Sequence, residues 1–172
     1  LISGKKSILE LRNAAILIDS VATTNQYEWG VGYWNTLIFR WIPAQLLGAS
    51  FKSNIQIPLG IDPQYLYQTY GYINPSGSTI TGIGDSFAQF DYFGSFVFAL
   101  LAILFKWLWQ KAIYQKSIVS QSAYLFLSVK GMLALTHQTT AFPSYLLYYM
   151  LFSYPVWTWA SIPKNKLVAK IF

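Results

Sequence analysis

Arg40 has the most distinctive chemical setting in this chain. It is the only arginine after Arg12, and it lies among apolar and aromatic neighbours, between Phe39 and Trp41. A guanidinium group binds phosphate through two parallel hydrogen bonds, a geometry that lysine cannot reproduce. Arg40 is therefore a candidate for binding a phosphorylated substrate. The alternative is that it anchors the chain to lipid headgroups or to an acidic side chain.

Two aspartates, Asp85 and Asp91, flank a short segment just before a long apolar run. A carboxylate in a half-buried site at a membrane surface can act as a general base. The alternative for Asp85 is that it caps a helix beginning at Ser86, a common use of aspartate. Glu28, isolated between two aromatic residues, and Asp62, which precedes a proline, are weaker candidates for the base.

The single histidine, His137, lies in a short polar stretch between two apolar runs. A histidine can shuttle protons near neutral pH, although a hydrogen-bonded loop histidine is the alternative. One histidine and no cysteine exclude multi-histidine metal sites, thiolate sites and disulfides. The chain has no phosphate-binding loop, nucleophile elbow, kinase motif or dinucleotide motif, and we expect no metal and no cofactor.

The composition determines the kind of element that must carry these residues. Of 172 residues, 54% are hydrophobic and only 10% are charged. A soluble domain carries about 25% charged residues, so this chain cannot cover a water-exposed surface. Disorder is excluded as well, because so much apolar surface would not stay in water. These values predict an all-α, polytopic membrane protein with about three transmembrane helices and a long external loop containing short helices.

The charges divide unevenly along the chain. All six acidic residues lie in residues 1–91, together with five basic residues, for a net charge of −1. Residues 92–172 contain seven lysines and no acid, for a net charge of +7. These lysines flank apolar runs, which is typical of membrane proteins and not of nucleic-acid-binding surfaces. We therefore expect a lipid bilayer, and no nucleic acid, as a partner.

The second half of the chain predicts three membrane spans, near residues 92–109, 118–135 and 143–161. About 20 apolar residues are needed to cross the hydrocarbon core. The second span is less apolar and contains Lys130, which we expect to reach the interface or to face a polar cavity. Pro155 lies inside the third span and is expected to kink its helix.

The lysines predict the orientation of these spans, because cytoplasmic segments collect basic residues. Lysines lie in the short segment between the first two spans and in the tail after the third. Both places then fall on the cytoplasmic side, and residues 25–91 and His137 lie outside. The basic lysines are Lys111, Lys116, Lys164, Lys166 and Lys170.

The first 91 residues precede the predicted membrane domain. Residues 1–24 contain apolar positions at steps of three and four, which predict an amphipathic, external or interfacial helix over residues 5–24. Residues 25–91 lack a sustained period and are predicted to form the long extracytoplasmic loop, with a short helix over residues 33–47 that breaks near Pro43. The chain opens at Leu1 without a signal-peptide pattern, so we expect it to be the C-terminal part of a longer polytopic protein.

Two segments resemble bacterial oligosaccharide repeat-unit polymerases of the O-antigen, or Wzy, type. Residues 82–94 read GIGDSFAQFDYFG and run into an apolar span, similar to an acidic–aromatic segment that precedes a late transmembrane helix in that family. Residues 38–43 read IFRWIP, similar to an Arg-x-x-Pro-type segment in its periplasmic loop. The chain differs in having Asp85 where Glu is commoner and in lacking a second glycine soon after Gly94.

The resemblance implies glycosyl transfer at the outer face of the bacterial inner membrane, with an undecaprenyl-pyrophosphate-linked oligosaccharide as substrate. It implies that Arg40 offsets charge on the leaving pyrophosphate and that Asp85 takes the acceptor's proton. His137, the candidate proton shuttle, is the third candidate catalytic residue. Trp41, Lys52 and Asp91 are then candidate substrate-binding residues beside Arg40, and no metal or nucleotide is required. Other membrane proteins of polysaccharide assembly are possible partners.

Three alternatives remain open at this point. An O-antigen ligase would use similar chemistry on the same carrier lipid. A polysaccharide or lipid-linked-sugar transporter, such as a flippase, would place charged residues along a path at mid-membrane, where only Lys130 fits. A non-catalytic membrane subunit would need no clustering of functional residues, and it would tolerate replacement of Arg40.

Overall fold

A computed structural model of the protein describes residues 9–59, 63–73, 75 and 77–160. In this part of the chain the regular secondary structure is entirely helical. The helices are α1 (Leu9–Thr24), α2 (Val31–Trp41), α3 (Ala44–Leu47), α4 (Ala49–Ile55), α5 (Pro63–Tyr70), α6 (Thr81–Phe90), α7 (Ser95–Ile113), α8 (Ile118–Thr136) and α9 (Phe142–Ala160). Short 3-10 helices, Asp91–Gly94 and Thr139–Ala141, precede α7 and α9.

Two helical stretches in the described residues are long and apolar enough to cross a membrane. They are Thr81–Ile113, which contains α6 and α7, and Ile118–Thr136, which is α8. Large apolar side chains on these helices are exposed, among them Leu100 and Leu125 at 66% and 72%. Helices with these apolar faces uncovered differ from the core helix of a soluble domain, whose apolar residues are buried.

The helices lie close to the predicted spans. The first begins at Ser95 and not at Tyr92, because a 3-10 helix occupies the residues before it. The second, α8, covers the predicted segment. The third predicted span forms α9, with Pro155 inside it. Among the described helices, however, α9 is not one of those that are long and apolar enough to cross a membrane. The lysines predicted to form a cytoplasmic tail lie outside the described residues.

The packing of α7, α8 and α9 forms the apolar centre of the molecule. Leu108 on α7, Leu127 on α8 and Phe142 on α9 are buried against one another, with alanines filling the narrow places. Helix α1 packs along α6, and its described part begins at Leu9, within the segment predicted to be an amphipathic helix. The N-terminal residues of that prediction lie outside the described residues.

Helix α6 is the element that brings the N-terminal half into contact with α8. A Cβ atom on Gly82 would overlap the carbonyl oxygen of Ala134 on α8, so only glycine permits this approach. On the opposite side, Gly84 lies against Ala14 of α1. Gly82 and Gly84, which lie in the segment predicted to be a loop, are therefore packing positions inside a helix. As predicted, the segment around Arg40 is helical and is interrupted near Pro43, between α2 and α3.

Candidate functional site

Arg40 lies on the boundary between two adjoining cavities. Both cavities are lined by Arg40, Ile80 and Gln138. The first, here the cationic cavity, has a volume of about 380 Å³. Its lining residues are Arg40, Ser78, Thr79, Ile80, Lys130, Leu133, Ala134, His137, Gln138, Ala141, Phe142 and Tyr145. None of these is an acid, so the cavity offers positive charge without a described carboxylate to neutralise it.

The positive groups of the cationic cavity share one aromatic ring. The Arg40 guanidinium carbon lies 4.7 Å from the centroid of the Tyr145 ring, and Lys130 Nζ lies 4.4 Å from the same centroid. Cation–π contacts of this kind hold a charged group in place without neutralising it. Tyr145 therefore fixes two cations beside one space. Arg40 comes from α2 and Lys130 from α8, and His137 follows the last turn of α8.

The second cavity, here the amide cavity, is larger, at about 740 Å³. Its lining is rich in uncharged hydrogen-bonding groups and includes two carboxylates. The polar lining residues are Glu28, Asn35, Thr36, Arg40, Ser53, Gln56, Asp85, Gln89, Gln138 and Thr140. So many amide and hydroxyl side chains around one cavity suit a neutral ligand with many hydroxyl groups. Amide and hydroxyl groups can both donate and accept hydrogen bonds, as the hydroxyl groups of such a ligand do.

Asp85 is buried, with 5% of its surface exposed, and its Oδ2 atom accepts three hydrogen bonds. The donors are the backbone N–H of Thr139 at 2.5 Å, the hydroxyl of Thr139 at 2.6 Å and the backbone N–H of Thr140 at 3.0 Å. These residues begin the 3-10 helix that leads into α9. A carboxylate at a helix N-terminus is favoured by the exposed N–H groups and by the helix dipole.

The expectation that Asp85 caps a helix starting at Ser86 is wrong. Helix α6 begins at Thr81, so Asp85 lies inside it, and the N-cap residue Ile80 makes no side-chain cap. Asp85 instead caps a distant segment of the chain from inside another helix. Capping across the fold needs the close packing of α6 on α8, which local sequence does not reveal.

Tyr33 extends this buried network toward α2. Its hydroxyl donates to Thr139 Oγ1 at 2.7 Å, and Thr139 in turn donates to Asp85. Burial raises the pKa of Tyr33 to about 12; the Asp85 charge adds to this shift and the Thr139 hydrogen bond opposes it. Tyr33 therefore stays protonated at neutral pH and remains a donor, which keeps the chain of hydrogen bonds pointing toward the carboxylate.

Glu28 faces the amide cavity from the segment before α2. Its Oε2 accepts a hydrogen bond from Nε2 of the buried Gln89, and Gln89 Oε1 accepts from the backbone N–H of Gly32 at 3.1 Å. Burial raises the pKa of Glu28; the Asp85 charge adds to the rise, while the Gln89 hydrogen bond opposes it. Half-buried and held by one amide, Glu28 is a second carboxylate of the cavity.

The predicted substrate-binding residues other than Arg40 lie elsewhere. Lys52 Nζ donates to the carbonyl of Phe39 at 2.8 Å, and Trp41 stacks on Tyr148 with ring centroids 4.5 Å apart. Asp91 has a positive φ of 56° and a buried Oδ1 atom without a hydrogen-bond partner. None of the three lines either cavity. The structure thus brings Arg40, Asp85 and His137 to adjoining cavities and leaves the other three predicted residues outside them.

Sequence reasoning underrated two residues of the cavities. Lys130 is expected from the sequence to reach the interface or to face a polar cavity, and it does line the cationic cavity. It is not among the predicted site residues, although an ionisable residue in an apolar helix is a general signal for a functional site. Glu28 was ranked below Asp85, because nothing in the sequence places it beside Gln89. Tyr145 could not have been singled out, since it is one of 13 tyrosines.

Among the described residues, no group of three His, Cys, Asp or Glu side chains could hold a metal ion. The chain matches no protein-family model, no curated protein and no solved structure.

Proposed function

We propose that this protein is a membrane glycosyltransferase that polymerises lipid-linked oligosaccharide repeat units, as in O-antigen or exopolysaccharide synthesis. The observation that carries the proposal is the position of Arg40 between two cavities of different chemistry. A polymerase of this kind must hold a pyrophosphate and a sugar side by side. An acid-free cationic cavity next to an amide cavity meets that requirement.

In the proposed reaction, the pyrophosphate of the donor lies in the cationic cavity. Arg40 and Lys130 offset the negative charge that develops as the bond to the sugar breaks, which is the electrostatic form of catalysis. The acceptor sugar lies in the amide cavity, bound by side chains such as Asn35, Gln56 and Gln138. His137, at the exposed end of the cationic cavity, is placed to exchange a proton with solvent.

The proposed setting is the outer face of the bacterial inner membrane. In this arrangement α7, α8 and α9 all cross the bilayer, and Lys111 and Lys116 in the segment between α7 and α8 lie on the cytoplasmic side. The α8–α9 connection, with His137, and helices α1 to α6 then lie at the outer surface. The exposed apolar faces of the long helices support this setting. The carrier lipid would approach the site from the bilayer.

The test uses deletion of the gene in its native host and complementation with wild type, Arg40→Ala or Arg12→Ala at equal membrane levels. Arg12 is a matched control, because its guanidinium carbon also lies 4.7 Å from a tyrosine centroid, that of Tyr72, but away from both cavities. We expect surface glycans of the deletion strain to shorten to one repeat unit. Wild type and Arg12→Ala should restore the ladder on a gel, and Arg40→Ala should not.

The other outcomes of this test identify the other classes. A ladder that forms but stays on its carrier lipid in the deletion strain would indicate a ligase. A ladder unchanged by the deletion contradicts the proposal for that glycan. If Arg40→Ala restores the ladder as well as wild type, then the cationic cavity has no part in polymerisation, and a non-catalytic subunit explains the deletion better.

A further inference from the structure

The amide cavity contains two carboxylates, and they differ in how many donors they already satisfy. Asp85 Oδ2 accepts three hydrogen bonds, two of them from backbone N–H groups at the start of a helix. Taking a proton at that oxygen would remove the charge that these donors stabilise. Asp85 is therefore a holding group: it fixes the turn between His137 and α9.

Glu28 is differently placed. Its carboxylate accepts a hydrogen bond from the Gln89 amide, and the residue is half-buried on the wall of the cavity. The backbone N–H of Glu28 donates to the carbonyl of Ala88 at 2.9 Å, which ties its main chain to α6. Part of the carboxylate is thus available to a ligand, while its backbone is fixed.

The side chain of Gln89 is itself held in one orientation, and it therefore orients the Glu28 carboxylate. The Oε1 atom of Gln89 accepts a hydrogen bond from the backbone N–H of Gly32, which leaves Nε2 of Gln89 to donate to Glu28. Gly32 allows this approach, because a Cβ atom there would lie 2.8 Å from Glu28 Oε2 and would overlap the Gln89 amide. Gln89 on α6 and Gly32 on α2 therefore orient one carboxylate, an arrangement expected for a preorganised base.

We propose that Glu28, and not Asp85, accepts the proton of the acceptor sugar's hydroxyl group, and that Asp85 is a positioning residue. The inference rests on the proposed function. The hydroxyl oxygen forms a bond to the donor's anomeric carbon, and the bond from that carbon to the pyrophosphate oxygen breaks. Its electron pair leaves on the pyrophosphate in the cationic cavity, and the hydroxyl proton moves to the Glu28 carboxylate. Water later removes that proton.

The ionisable groups around Glu28 act on it in opposite directions. Burial and the charge of Asp85 on α6 both raise its pKa, which brings the carboxylate closer to the pH at which it works as a base. The hydrogen bond from Gln89 opposes the rise by favouring the ionised form. Arg40 on α2 lines the same cavity. The remaining ionisable groups lining the cavities are Lys130, His137 and Tyr145.

The experiment measures chain elongation by the purified full-length gene product in proteoliposomes supplied with its lipid-linked repeat unit, between pH 4 and pH 9. In Glu28→Gln we expect kcat to fall about 100-fold or more, with KM little changed, because a general base contributes about that factor. The acid limb of the wild-type pH profile should disappear. Added formate should restore part of the activity of Glu28→Ala, by occupying the space of the lost carboxylate.

The matched control is Glu10→Gln. Glu10 is an acidic residue on α1 that lines neither cavity, so this variant should keep the wild-type rate and pH profile.

Two results would overturn the inference while leaving the proposed function intact. One is a Glu28→Gln protein that elongates at the wild-type rate with its acid limb unchanged. The other is an acid limb that survives in Glu28→Gln but disappears in Asp85→Asn, which would make Asp85 the base. A wild-type protein that forms no polymer overturns the proposed function, and the role of Glu28 with it. Binding of inorganic pyrophosphate by Glu28→Gln, at wild-type affinity, shows that a slow variant is still folded.

Discussion

The two cavities that meet at Arg40 share that residue, Ile80 and Gln138 but have opposite electrostatic character. The cationic cavity holds Lys130 and His137 with no described acid, whereas the amide cavity holds Glu28 and Asp85 among uncharged polar groups. Arg40 belongs to both. In the proposed reaction, this difference separates two tasks. The cationic cavity stabilises the negative charge on the leaving group, and the amide cavity takes up the proton.

The cavities also differ in how their charged groups are held. In the cationic cavity, Arg40 and Lys130 rest on the face of Tyr145, which leaves their N–H groups able to bind a ligand. In the amide cavity, Asp85 is tied by three hydrogen bonds and Glu28 by one. A cation held against an aromatic ring keeps its N–H groups for an anionic ligand. A carboxylate that accepts hydrogen bonds from the protein has already committed part of its hydrogen-bonding capacity to the fold.

The largest predicted effect comes from removing the most heavily bonded charge. In Asp85→Ala, the N–H groups of Thr139 and Thr140 lose a buried acceptor, so we expect the free energy of unfolding in detergent to fall by about 3 kcal/mol. Asp85→Asn keeps one oxygen acceptor and should lose about half as much. The control is Asp19→Ala, whose exposed carboxylate accepts one hydrogen bond, from Tyr70 at 2.8 Å. An Asp85→Ala protein no less stable than Asp19→Ala would contradict the holding role.

The same residue illustrates what could be predicted from the sequence. Asp85 was recognised as a candidate because charged residues are rare in this chain and this one precedes an apolar run. Its partners could not be predicted, because Thr139 is 54 residues away and meets it only when α6 packs on α8. Local reasoning placed a helix start at Ser86, because aspartate is a common N-cap residue. The helix instead begins at Thr81, and Gly82 and Gly84 inside it allow α6 to approach its neighbours, so tertiary packing overrides the low helix propensity of glycine.

The long helices were easier to predict than the site. Runs of apolar residues fix the positions of α7, α8 and α9 almost regardless of what they pack against. The cavities depend on pairs that are distant in sequence, such as Glu28 with Gln89 and Arg40 with Tyr145. Such pairs leave no periodic signal. For that reason the sequence identified individual charged residues as candidates, but it could not show which of them line the same cavity.

A smaller effect should distinguish the cationic cavity from an ordinary cation–π contact. In Lys130→Met, inorganic pyrophosphate should bind about tenfold more weakly than in wild type by isothermal titration, equivalent to about 1.4 kcal/mol. Lys111→Met is the matched control, because Lys111 Nζ lies 4.2 Å from the centroid of the Trp107 ring, outside both cavities. If both substitutions weaken binding equally, the pyrophosphate responds to overall charge and the cavity is not its site.

The smallest effect concerns the stability contributed by Glu28. Its pKa is raised above the ordinary value of 4.5 in the folded protein, so folding favours the protonated form. That contribution is fully present below pH 4.5 and is lost as the pH rises through the raised pKa. Glu28→Gln should therefore gain thermal stability relative to wild type as the pH is raised, with little difference at pH 4. Ile83→Ala, an exposed change on α6 without a titrating group, should differ from wild type by a constant amount.

A constant difference for Glu28→Gln would mean that the cavity solvates its carboxylate as well as water does. A growing difference would instead mean that the amide cavity sacrifices stability to keep a carboxylate there, which is the expected cost of a working base.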